Sequence, residues 1–194
     1  MTDRTTEPGD AARHAAYRNI EAAIDRARGL PAQVFRPEWT VFRVFDADGL
    51  LHPEFVHVAA SLLEVEGATC LCVADLETPA ALRVSEALHI DRTTTEAAYC
   101  TAYGRLDPRN GWDVRFTTLG VASNVGRLCI YCEQKEEYAL IAFRDRASFE
   151  TLRPALAWLE AVPIREAIER PTIFTFEHML PAFRDAMLRN YSGA

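Results

Sequence analysis

The sequence lacks any apolar run near the roughly 20 residues that a membrane-spanning helix needs. Residues 1–12 are polar and carry no hydrophobic segment of the signal-peptide kind. The expectation from both is a chain that stays in the cytoplasm and has no membrane partner. Basic runs are also missing. Lys and Arg number 21 against 28 Asp and Glu, for a formal net charge of -7, and the Arg residues stand singly among acids. Nucleic-acid affinity comes mainly from clustered Lys and Arg that displace counterions from phosphates, so nucleic acid is a poor partner. The charge balance suits a basic partner better.

Catalytic and nucleotide signatures are absent too. There is no G-x-S-x-G elbow and no H-E-x-x-H. No glycine-rich dinucleotide fingerprint follows a strand. The segment Gly120-Val-Ala-Ser-Asn-Val-Gly126 has the wrong spacing for a phosphate loop and lacks its Lys-Ser/Thr; it reads as a connection between strands. Internal repeats and low-complexity stretches are missing as well.

The chain does contain enough to build a core: 194 residues, 49% hydrophobic and 25% charged, a globular composition. We expect residues 1–9 to form a flexible tail and residues 10–194 a single α+β domain, with a central antiparallel sheet (a meander in residues 97–144) packed by N-terminal, middle and C-terminal helices.

Tyr17, Ile20, Ile24 and Ala27 recur at helical spacing from Asp10 to Arg28, with Gly29 and Pro31 as the stop. Residues 39–45 read as a strand ended by a turn at Asp46, Asp48 and Gly49. Phe55, Val58, Ala59, Leu62 and Val65 form one stripe of a second helix, with Gly67 as its cap. Residues 69–76 are apolar on both faces, the mark of a covered central strand. Thr78 and Pro79 open a helix along which Ala81, Leu82, Ser85 and Leu88 trace the buried side.

Four meander strands are expected at residues 97–106, 112–121, 127–133 and 137–144. Pro108 and Asn110-Gly111 supply a hairpin turn between the first two, and residues 134–136 a second reversal. Ser148 caps a helix carrying Phe149, Leu152, Leu156 and Leu159, kinked or restarted at Pro154 and ended at Pro163. A last helix, over residues 176–191, buries Phe176, Leu180, Phe183 and Met187.

The cysteines are the most tempting chemistry. Cys70, Cys72, Cys129 and Cys132 form two short pairs that can be imagined around a zinc ion or an iron-sulfur cluster. Residues three apart on a strand point to opposite faces, so Cys129 and Cys132 read as packing thiols and the metal site as a minor alternative. No helix start follows Cys129 to make a redox pair with Cys132. The fifth cysteine is Cys100, and a disulfide framework is not expected from an odd number set in apolar runs.

Glu54 and His57 have the E-x-x-H spacing of a carboxylate-bridged metal site, but Glu177 and His178 are adjacent and supply no second copy. His14, His89 and His178 read as solvent-facing or capping.

Arg109, Trp112 and Arg115 around the hairpin tip, with Trp39, are of the residue types that anchor protein interfaces. The main expectation is therefore a non-enzymatic, cofactor-free binding protein, an inhibitor or immunity-type partner for a basic protein. The alternative is a small enzyme or ligand sensor with a pocket between sheet and helices, drawing on His52, His57, Tyr99, Tyr103 and Arg115. Homo-oligomerisation stays open.

Overall fold

The computed structural model describes residues 9–77, 83–106, 118–133, 137–169 and 179–192. Helix α1 (Asp10–Ala23) precedes strand β1 (Val41–Asp46), α2 (Ala47–Leu51), α3 (Phe55–Glu66) and β2 (Leu71–Asp75). Then come α4 (Arg83–Glu86), β3 (Leu88–Ile90), α5 (Glu96–Leu106), and the strands β4 (Thr118–Ser123), β5 (Leu128–Glu133) and β6 (Tyr138–Phe143). Helix α6 (Arg146–Leu152) runs into a 3-10 helix (Arg153–Leu159), followed by α7 (Ile164–Glu169) and α8 (Pro181–Tyr191).

The strands form one six-stranded sheet in the order β1-β6-β5-β4-β2-β3, and every neighbouring pair is antiparallel. This is the α+β architecture with a central antiparallel sheet that the sequence suggested. Both faces are covered because β5 and β6 are buried at every position, and a sheet apolar on both sides must be packed on both sides.

One face carries Val121, Ile130, Cys132, Ile141 and Phe143 against α3, α6 and the 3-10 helix. The other carries Ala122, Cys129, Tyr131, Leu140 and Ala142 against α1, α7, α8 and the segment around Phe35. Alternate residues thus feed two separate cores.

Helix α3 ends as expected on Gly67, whose φ of 68° is left-handed. Pro154 opens the 3-10 helix rather than breaking the chain away, and β2 lies between β4 and β3 as a covered strand.

Several expectations need correction. Residues 97–106 lie in helix α5, not a strand: the Thr95 hydroxyl accepts from the Ala98 N–H at its start and the run Glu96, Ala97, Ala98, Ala102 favours helix. The meander therefore comprises three described strands, β4 to β6. Helix α1 stops at Ala23, because Ile24 leaves it to bridge Phe35. The residues after β1 form α2 rather than a turn, capped by the Asp46 carboxylate accepting from the Asp48 N–H at 2.8 Å.

Leu88 belongs to β3, paired with Val73, and not to a helix. Asp145, not Ser148, caps α6, accepting from the Ser148 N–H at 2.7 Å. Leu180 is 75% exposed rather than buried. The hairpin at 107–117, the reversal at 134–136, and the proposed starts at Thr78 and Phe176 lie outside the described residues, as does most of the N-terminal tail.

Gly120 shows how tightly the first helix seats on the sheet. A Cβ there would lie 2.6 Å from Ile20 Cγ2 and 2.9 Å from Leu76 Cδ2. Gly120→Ala should therefore destabilise the protein by about 1–3 kcal/mol through overpacking, read as a lower urea midpoint with an unchanged slope.

Candidate functional site

Consecutive partners across the sheet bring acidic residues to one end of it. Asp46 pairs with Tyr138, Tyr138 with Glu133, and Glu133 with Thr118; two strands further on, Asp75 pairs with Leu119. Asp48 follows Asp46 in the first turn of α2. Glu137, at φ 60°, precedes β6, and its carbonyl accepts from the Ala47 N–H at 3.2 Å. None of the ion pairs among the described residues involves Asp46, Asp48 or Glu137. Partial burial raises the Asp46 carboxyl above its usual value, and the negative charges of Asp48 and Glu137 add to the rise.

Beside these acids a cleft of about 420 Å³ opens between the end of the sheet and the chain after α1. It is lined by Arg26, Arg28, Glu77, Thr118, Tyr131 and Glu133 among others. Its most buried carboxylate is Glu133, 4% exposed. Glu133 Oε1 accepts from the Tyr131 hydroxyl at 2.6 Å and from the Leu30 N–H at 2.9 Å. Burial, with that bond to Glu133, keeps the Tyr131 phenol protonated well above its usual range.

Across the cleft, Arg28 is spent on Asp25 at 3.0 Å, while Nη1 of Arg26 is buried without a hydrogen-bond partner. The segment that follows Gly29 is tied to helix α8. The Tyr191 hydroxyl accepts from the Val34 N–H and donates to the Ala32 carbonyl, and Asn190 Nδ2 donates to the Pro31 carbonyl at 2.7 Å.

A second, open depression of about 400 Å³ lies between α3 and the 3-10 helix, lined by Glu54, His57, Val58, Ser61, Ala155 and Trp158 among others. His57 Nε2 meets Glu96 Oε1 at 2.8 Å, but both side chains are largely exposed, where such pairs contribute little. The Ser61 hydroxyl has no bond to His57 among the described residues, so no nucleophile is activated here. The His52 ring sits 5.7 Å from that of Trp158.

Of the expected interface residues, Trp39 is buried, 4% exposed, and works as core: it packs on Phe35 and lies under the Arg144 guanidinium at 5.2 Å. Arg109, Trp112 and Arg115 lie outside the described residues, as does the side chain of Tyr103. Of the residues named for a sheet–helix pocket, His57 lines a cavity, and that cavity lies between two helices rather than between sheet and helix. Tyr99 is buried and donates to the Leu50 carbonyl at 2.7 Å.

The cysteine geometry follows the pleat. Cys70, Cys72 and Cys129 share one core and Cys132 lies in the other. No group of three or more His, Cys, Asp or Glu is placed to hold a metal ion among the described residues.

His89 is partly buried, not solvent-facing, and bonds the Val84 carbonyl at 3.1 Å and Cys70 Sγ at 3.7 Å. Burial pushes the Cys70 thiol up to about 11 and the His89 imidazole down. The pair is therefore neutral, the opposite of a thiolate-imidazolium nucleophile.

Comparison of the chain with protein-family models, curated proteins and solved structures gives no match.

Two outcomes follow from the burial of these groups. All five cysteines are free and only Cys100 is exposed, so a thiol reagent should label about one thiol quickly and the rest only on unfolding; fast labelling of a second thiol in the native protein contradicts the packing described. Asp46 carries a raised folded-state value, so the folded state holds its proton more tightly than the unfolded state does. Stability tied to Asp46 is then gained as pH falls from neutral toward the usual value near 3.8. Asp46→Asn keeps the capping oxygen, and should raise the melting temperature at pH 7 by more than it does at pH 4.

Proposed function

We propose that the chain is a non-enzymatic binding protein that presents the acidic end of its sheet to a basic protein partner, as an inhibitor or immunity-type protein does. The observation that carries this reading is the placing of Asp46, Asp48 and Glu137 at one end of the sheet, none of them in an ion pair among the described residues. Like charges held together cost free energy in the isolated protein. A cationic surface brought against them removes that cost and accelerates encounter through long-range attraction.

Two of these acids sit on well-formed structure: Asp46 ends β1 and caps α2, and Asp48 lies in the first helical turn. Glu137 is joined to the same place through its carbonyl. The charges are thus presented by rigid elements, which suits a preformed interface.

A second reading, a ligand-sensing domain or small enzyme, is favoured by one specific feature, the cleft lined both by buried Glu133 and by Arg26, whose Nη1 is buried without a hydrogen-bond partner among the described residues. A cleft of this size lies within the range of small-molecule sites. Its polar groups are largely committed to one another, which leaves the acidic rim as the stronger signal.

The test is a pull-down from the protein's own cells with the wild-type chain and an Asp48→Lys/Glu137→Lys variant, which spares the cap at Asp46. A basic protein should be retained at about 50 mM salt and released near about 0.5 M, as screening shortens the reach of the charges. The variant should retain about tenfold less at low salt. Equal retention by both chains, or retention insensitive to salt, rejects the proposal.

A further inference from the structure

Among the described residues, arginine guanidiniums lie over two aromatic rings near the edge of the core. Arg144 lies over Trp39 at 5.2 Å, while Arg43 and Arg146 lie over Phe149 at 4.3 and 5.1 Å. Trp158 is 45% exposed and carries no guanidinium among the described residues; the ring beside it is His52.

Its exposure follows from the 3-10 helix itself. Leu156 and Leu159 take the core side, and the three-residue period aligns Trp158 with Ala155 along the depression. Opposite, the outward stripe of α3 runs His57, Ser61, Val65 at four-residue intervals, and Val65 is 42% exposed. Of the exposed large apolar side chains, Trp158 lines the groove, and Val65 lies one turn beyond Ser61 on the same helix.

Among the described residues lining the groove, Glu54 supplies the carboxylate, beside His57 and Ser61. That carboxylate lies 3.8 Å from His52 Nδ1, and the Glu54 N–H donates to the same nitrogen at 3.3 Å. Glu96 stands against His57. Arg153, the guanidinium nearest in sequence, is turned to Glu150, as is Arg146. An indole face attracts a cation through its quadrupole, and a neighbouring carboxylate completes the neutralisation.

We propose that this groove is the anchor point of the interface and that its occupant is an arginine side chain of the basic protein partner, laid over Trp158 with its charge toward Glu54. This rests on the reading of the chain as a binder of a basic protein. The anchor adjoins the acidic end of the sheet: His52, which closes α2, is the residue touching Trp158. A Cβ at Gly49 of α2 would lie 3.1 Å from Leu159. The charges steer, and the aromatic groove holds.

The first test uses the three indole N–H signals of the protein in nitrogen-proton correlation spectra, with the Trp158 signal assigned by its loss in Trp158→Phe. A capped Gly-Arg-Gly-Arg-Gly peptide should shift that signal in a saturable way, and the matched glutamate peptide should leave it in place. No shift with the arginine peptide, or equal shifts with both, overturns the assignment.

The second test measures affinity for the partner recovered at low salt. Trp158→Ala should weaken it about tenfold, with Trp158→Phe retaining most of the binding and both variants folded by thermal melting. If Asp48→Lys/Glu137→Lys loses the partner while Trp158→Ala keeps full affinity, the groove assignment falls and the acidic-surface reading stands. If neither variant changes binding, both fall.

Discussion

The two-residue alternation of the central strands is the constraint on which the rest of the structure depends. Because β4, β5 and β6 are apolar at nearly every position, neither face of the sheet tolerates water. One set of helices must close each face. Shifting β5 by one residue would exchange Tyr131 and Glu133 with Ile130 and Cys132, placing a carboxylate in the drier core. The pairing register thus fixes the two cores and delivers Glu133 to the end of the sheet. The close approach of α1 at Gly120 locks the same register from outside.

This constraint also limits the chemistry available. Thiols at Cys72, Cys129 and Cys132 are buried among hydrocarbon, and burial raises all three, Cys132 to about 12. They contribute volume rather than reactivity. The polar chemistry moves instead to the rim, where strands end and charged groups meet solvent. There a partner's charge can act without first displacing core.

Much of the fold was legible because patterns with a single physical cause are hard to misread. The stripe of α3 from Phe55 to Leu62 with Gly67 at its end, the both-sided burial of β2, and the divergence of Cys129 from Cys132 all follow from period and sterics; Val65, expected on that stripe, is 42% exposed instead. What escaped were places where local preference and tertiary contact compete. Tyr99, Cys100, Thr101 and Tyr103 favour strands, yet their neighbours Glu96, Ala97, Ala98 and Ala102 carry the segment into helix α5. Trp39 reads as an interface residue by type, and only the packing of Phe35 and Arg144 around it makes it core.

The acidic end was invisible for another reason. Asp46 and Asp48 lie far in sequence from Glu133 and Glu137, and only antiparallel pairing brings the two pairs to one level. Nothing in the sequence singles out Trp158, whose exposure shows only once Leu156 and Leu159 take the core side. Glu133 did leave a trace: it is the acidic residue that ends an otherwise uncharged buried strand, two places after a tyrosine on its own face.

The tether between the last turn of α8 and the segment from Pro31 to Val34 has a consequence for how the protein is made. Its hydrogen bonds join residues 157 and 159 positions apart, so a growing chain on the ribosome cannot form them until α8 has been synthesised. The strands can pair first, but the core that Met187 and Tyr191 complete closes only when α8 docks. The segment from Pro31 to Val34 is then held in place late, by a helix made long after it.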